Sequence, residues 1–277
     1  MRRLIRRFGA SLLLGMALWA SVGCQTAAEP YTGRRQLFLT SVAEENALGL
    51  KSWQEILAKE KVSADKRKVA ALERVGRGIA QVAGRPDFQW EFKVLASPEA
   101  NAFCLPGGKV AVYEGLFKAM RNDAELAAVV GHEVGHAIAR HGGERMTQQM
   151  GVAVGAAVLE AALSARHMPA ETQQKWLLAY AGVSTLGVVL PFSREQEYAA
   201  DKIGVMLMAK AGYDPRAALD FWQRFSQGKS GTPLDHYLST HPSDGKRIQH
   251  LRETVLPEAG PAYAAAPAKR GFGQSLP

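Results

Sequence analysis

The stretch His132-Glu133-Val134-Gly135-His136 constrains this chain more than any other. It sits between Asp123 and about Arg140, amid Ala127, Ala128, Val129, Val130, Val134 and Ile138, so the pattern predicts a buried helix carrying two histidines and a glutamate. Residues four apart share a helix face, so His132 and His136 can direct both imidazoles at one ion, with Glu133 a quarter-turn away beside a water on that ion. Burying these groups without a metal or polar partners is costly. A surface helix with two solvated histidines is the competing explanation, and the apolar flanks argue against it. Asn122 and Glu125 have capping-box spacing at the helix start, and Gly142-Gly143 are expected to end it.

A catalytic zinc takes three protein ligands and leaves a fourth position to water. The third ligand is best sought in Ser193-Arg194-Glu195-Gln196-Glu197-Tyr198-Ala199-Ala200-Asp201. Glu197 and Asp201 are again four apart, so Glu197 can complete the shell while Asp201 accepts a hydrogen bond from a ligand imidazole's other nitrogen. The alternative is a solvated acidic face, which suits Glu195.

The surrounding pattern is mixed. Ser41 and Glu44 open a helix to about Glu60, and a second spans about Ala64 to Ala83. Phe88, Trp90, Phe92 and Val94 alternate as a half-buried strand. Asn101–Leu105 and Lys109–Tyr113, around the Pro106-Gly107-Gly108 turn, read as an antiparallel pair. Residues 146–192 are rich in Ala, Gly and Val, and Trp176 to Phe192 carries no charge. Two helices packed on the active-site helix are expected there in preference to membrane insertion. Helices then follow at about Ser193–Ala211, after Asp214-Pro215, and up to about Val255.

The N-terminus has Arg2, Arg3, Arg6 and Arg7, an apolar run from Phe8 to Ala20, and Ser21-Val22-Gly23 before Cys24. That order predicts a secretory signal over 1–23 with Cys24 as a lipidated mature N-terminus, although Ser21 stands where such signals usually have Leu. Ordinary signal-peptidase cleavage or an uncleaved anchor is the alternative. A strap over 24–40, a catalytic domain over 41–256 and a Pro/Ala/Gly-rich disordered tail over 257–277 complete the organisation. Cys104 is then the one free thiol, read as a packed core group. Removing 1–23 takes four arginines from a formal charge of +8, leaving 8 − 4 = +4. With no basic run, nucleic acid is not an expected partner.

The pairing of His132-Glu133-Val134-Gly135-His136 with Glu197-Tyr198-Ala199-Ala200-Asp201 resembles the gluzincin family of HtpX and the CAAX prenyl endopeptidases, metallopeptidase family forty-eight. Asn101-Ala102-Phe103, Pro106-Gly107-Gly108, Ser193-Arg194 and His241-Pro242 with Arg247 match as well, so the resemblance covers about residues 31 to 255. It implies an α+β, mostly helical zincin-type domain with a small antiparallel sheet over the active-site helix. It further implies one zinc per chain on His132, His136 and Glu197, supported by Asp201, with Glu133 as general base and acid. His241 and Arg247 become candidates for stabilising the oxyanion, although His241 can instead occupy the open position of the zinc and hold the enzyme latent. The strand at Asn101 and Ala102 would pair with an extended substrate.

The lipoprotein signal and Thr32-Gly33-Arg34-Arg35-Gln36-Leu37 are similar to periplasmic family members. The expected substrates are unfolded or misassembled envelope proteins, with the outer-membrane assembly machinery as a further partner. Gln25 after Cys24 points to the inner leaflet of the outer membrane. Two other readings stay open at this point: a zinc-containing chaperone or assembly factor with little turnover, and an integral-membrane protease with residues 146–192 inserted.

Overall fold

Caps and hydrophobic period set the first helices. Ser41 accepts from the Glu44 amide while the Glu44 carboxylate accepts from the Ser41 amide at 2.7 Å, starting α1 (Val42–Lys59) with the expected capping box. Asp65 caps α2 (Lys66–Val82), whose Leu72, Val75 and Ile79 stripe is buried. The computed structural model describes residues 25–184, 190–227, 237, 241 and 245–277; the leader, Cys24 and Pro242 lie outside the described residues.

The region read as an aperiodic strap is a hairpin, β1 (Gln25–Ala28) antiparallel to β2 (Arg35–Phe38). The main sheet contains β3 (Glu91–Leu95), β4 (Ala102–Leu105) and β5 (Lys109–Tyr113) in the order β3-β5-β4. The β4–β5 hairpin is antiparallel as expected, with Gly107 and Gly108 at positive φ in its turn. β3 joins β5 in parallel, so the sheet is mixed where the sequence suggested an antiparallel one. The reason lies in β5: buried along its whole length, it takes the centre, and β4 runs back along its far side as an edge strand.

A short α3 (Glu114–Phe117) leads to α4 (Asp123–Ile138), the helix of the opening motif. Asn122 accepts from the Glu125 amide, but the Glu125 carboxylate accepts from Arg121 at 2.8 Å, so only half the capping box forms. The expected glycine stop is also displaced. Arg140, in the left-handed region at φ 56°, ends α4, and Gly142 and Gly143 fall in the first turn of α5 (His141–Ala165). Arg140 is held there by Glu45 at 2.8 Å and the Thr40 carbonyl at 2.8 Å.

The pairing of α5 with α6 (Ala170–Ser184) departs most from expectation. Only the start of α5 is buried beside α4; beyond Thr147 the two helices pack on each other, with the Tyr180 hydroxyl donating to the Val152 carbonyl at 3.2 Å. Val158, Leu178 and Val183 are 65%, 66% and 71% exposed. Their apolar residues are not gathered on one face but interrupted by Gln148, Gln149, Glu160, Gln173 and Lys175, so neither helix has a continuous stripe to offer the domain. Among the described residues no helix is long and apolar enough to cross a membrane.

The next helix, α7 (Leu190–Lys210), crosses α4 at glycines. A Cβ at Gly131 would lie 2.7 Å from the Gly204 carbonyl, one at Gly135 would lie 2.8 Å from that of Ala200, and one at Gly204 would lie 2.6 Å from the His132 amide nitrogen. Gly135 of the motif therefore admits the backbone that carries Glu197 and Asp201. α8 (Arg216–Ser226) adds Phe221, Trp222 and Phe225 to the core, and α9 (Gly245–His250) runs through one π-helical turn into α10 (Leu256–Ala265).

The tail is not disordered. α10 packs on α7, and the chain beyond it returns to the start of α4, where the Asp123 and Ala124 amides donate to the Gln274 and Phe272 carbonyls at 2.9 and 3.1 Å. Helix-start amides lack intrahelical acceptors, and a Pro/Ala/Gly segment can still supply carbonyls, so composition alone misled.

Candidate metal centre

α4 aims His132 and His136 at one point, and α7 brings Glu197 to it. His132 Nε2 lies 3.1 Å from His136 Nε2 and 3.3 Å from Glu197 Oε2, and His136 Nε2 lies 3.2 Å from Glu197 Oε1. His241 Nδ1 closes the group, 3.2 Å from His132 Nε2 and 3.3 Å from Glu197 Oε2. Ligands about 2.0–2.1 Å from a tetrahedral ion stand about 3.3 Å from one another. The observed spacings of 3.1–3.3 Å match that figure, so the residues fit zinc as a donor set.

The far sides of the ligands are also engaged. His132 Nδ1 donates to Asp201 at 2.9 Å, which leaves Nε2 with its lone pair toward the centre. Arg247 donates to both Asp201 oxygens, at 2.5 and 2.8 Å, and lies 3.1 Å from Glu197, over the Trp222 ring. Arg247 is 2% exposed and braces Asp201 and Glu197 from within the protein. In the metal-free protein burial disfavours a charged His132, but its bonds to Asp201 and Glu197 outweigh this and raise its pKa to about 9, so metal binding has to displace a proton from Nε2. Burial opposes charge on Glu197 too, yet His136 and bonds from three histidines hold it well below the carboxylate range. Glu197 and Asp201 share the Arg247 guanidinium while Glu133 lies 3.6 Å from His241, and such a group of carboxylates attracts a divalent cation.

Sequence reasoning missed two partners. The Tyr237 hydroxyl donates to Glu133 Oε1 at 2.5 Å, and its ring stacks on His241 with centroids 4.5 Å apart. Its position four residues before His241 was an available signal. The second is His141, whose Nδ1 is 2.8 Å from His136 Nδ1 and whose Nε2 is 2.8 Å from Glu29. Asn101 immediately precedes the edge strand β4, which Ala102 opens, and the Asn101 carbonyl accepts from the Tyr113 amide at 2.9 Å. Burial, followed by the charge of Glu133, pushes the Cys104 thiol far up, in keeping with a packed group.

The family model for peptidase family M48 matches residues 66–255. The chain belongs to peptidase family M48. This M48 chain is 42% identical over 182 residues to mitochondrial metalloendopeptidase OMA1 of Arabidopsis thaliana, covering 65% of the chain and 35% of that protein. It is 40% identical over 194 residues to the Schizosaccharomyces pombe OMA1, covering 68% and 53%. The Escherichia coli beta-barrel assembly-enhancing protease is 28% identical over 188 residues, covering 65% and 37%. The chain thus spans about a third to a half of the length of these relatives. At the level of family, the reading of the sequence as a member of M48 stands. The OMA1 likeness was not part of that reading.

Proposed function

We propose that this M48 chain is a zinc-dependent endopeptidase that cleaves unfolded or misassembled envelope proteins, with one zinc on His132, His136 and Glu197. The observation that carries the reading is the tetrahedral spacing of the donors, with Asp201 fixing the ligand tautomer of His132. When bound, zinc lowers the pKa of water and polarises a carbonyl. Glu133, oriented by Tyr237, accepts the proton of the attacking water and passes it to the leaving amine. The edge strand β4 offers an extended substrate main-chain pairing that tolerates many sequences. The name of the Escherichia coli relative favours an envelope role. A lipid anchor on Cys24 and a place at the inner leaflet of the outer membrane, beside its assembly machinery, belong to the same proposal.

His241 Nδ1 stands 3.2 Å from His132 and 3.3 Å from Glu197, where it can take the open position of the ion, which favours the latent role over oxyanion support. The same closure favours the second reading, an assembly factor with little turnover. His241→Ala separates the two: a protease restrained by His241 cleaves a casein-like substrate faster than the parent and in a chelator-sensitive way, whereas an assembly factor gains no cleavage. The ligand set itself is tested by metal analysis of His136→Ala and Glu197→Ala, both expected to lose zinc. Unchanged stoichiometry in Glu197→Ala would remove that residue from the set.

A further inference from the structure

His136 has a partner that the opening motif does not contain. On a continuous helix a residue five positions on lies about 140° round the axis. His141 nevertheless faces His136, because the left-handed Arg140 breaks the chain between α4 and α5 and turns the next residue back. His141 is 1% exposed, and each of its ring nitrogens has one close neighbour: His136 Nδ1 at 2.8 Å and Glu29 Oε1 at 2.8 Å.

Two imidazole nitrogens at that distance share one proton. If His141 Nε2 carries a hydrogen for the Glu29 carboxylate, neutral His141 presents a bare Nδ1, which accepts from His136 Nδ1–H. His136 then has its Nε2 lone pair directed at the donor cluster. The reverse tautomer would set a bare His141 nitrogen against a carboxylate and put a hydrogen on His136 Nε2, blocking it as a ligand. Glu29 is itself fixed: Arg34 bridges it at 2.9 Å to Glu144 at 2.6 Å, Thr32 donates to it, and Gln36 ties Glu144 at 3.1 Å to the Ala139 carbonyl at 3.0 Å. The stretch Thr32-Gly33-Arg34-Arg35-Gln36, otherwise without a role, is the frame of this arrangement.

We propose that Glu29 and His141 form a positioning relay that selects the metal-binding tautomer of His136, making the N-terminal hairpin part of the metal site. The relay mirrors Asp201 on His132, so each histidine of the motif has its own carboxylate, one direct and one through an imidazole. It rests on the zinc reading above.

The test is zinc affinity of the full chain, measured by competition with a chromogenic chelator, together with the absorption spectrum of the cobalt(II)-loaded protein. His141→Phe and Glu29→Leu should each weaken zinc about 10–100-fold and alter the cobalt bands, as loss of an outer partner does at such sites. His141→Gln should retain most of the affinity, because its carbonyl can accept from His136 while its amide donates to Glu29. Parental affinity in His141→Phe, or a Gln variant as weak as the Phe variant, would overturn the relay. Should His141→Phe not fold by circular dichroism, Glu29→Leu decides, and parental affinity there overturns the relay equally. A parent that binds no zinc, or a His136→Ala variant that binds it as the parent does, would instead sink the metal reading and the relay with it.

Discussion

At the scale of single residues, the proposed proton transfer depends most closely on the contact of Tyr237 with Glu133. The hydroxyl orients one carboxylate oxygen without joining the donor set, so its removal should leave metal binding alone. Tyr237→Phe should lower kcat about tenfold, the worth of one hydrogen bond to a charged group, with zinc stoichiometry unchanged in metal analysis. The clustering of His132, His136 and Glu197 was legible in the sequence because helical spacing of four is a local property. Tyr237 and His141 were not. Tyr237 reaches Glu133 from another part of the chain, and His141 faces His136 only through a left-handed residue that nothing in Arg140 announces. Arg247 was named from the sequence, but its bonds to both Asp201 oxygens depend on long-range packing that sequence does not show.

Helices α4 and α7 set the distance between the ligands, and glycine sets the distance between the helices. Gly204→Ala should push α7 from α4, costing about 1–3 kcal/mol as an overpacked contact. Because that shift moves Glu197 from the histidines, zinc affinity should fall together with the urea midpoint; a variant stable as the parent would show that the crossing has room to relax. The β1–β2 hairpin gives a pH prediction. Burial alone would raise the pKa of Glu29, but bonds from His141, Arg34 and Thr32 bring it from 4.5 to about 2. A depressed carboxylate contributes stability above its unfolded value and loses it as pH falls toward its folded one. The urea midpoint of the metal-free parent should therefore drop between about pH 4.5 and 2 more steeply than that of Glu29→Gln, and equal slopes would contradict the assignment. Boundaries of α1 and α2 were readable from their caps, whereas the parallel β3–β5 pairing depends on which strand takes the buried centre.

Across the whole molecule, the two chain ends of the described structure meet the active-site helix from opposite sides. The N-terminal hairpin reaches its C-terminal end through Glu29 and His141, and the tail supplies acceptors at its start. Truncation after Ala265 removes the bonds from Asp123, Ala124 and Asp214 to the tail and should destabilise the domain by about 2–4 kcal/mol in urea unfolding, at about 0.5–1.5 kcal/mol for each bond. Composition suggested a disordered tail, because long-range pairing to a helix start leaves no periodic trace. The α5–α6 hairpin shows the same limit in reverse, since its apolar sequence suggested burial that the fold does not provide.

The central claim is that Glu133 moves the proton while His132, His136 and Glu197 hold the metal. Parallel zinc analysis and cleavage of a casein-like substrate by the parent and by Glu133→Gln test it most directly. The account predicts equal zinc in both proteins and chelator-sensitive cleavage in the parent alone. Persistent cleavage by purified Glu133→Gln would contradict it.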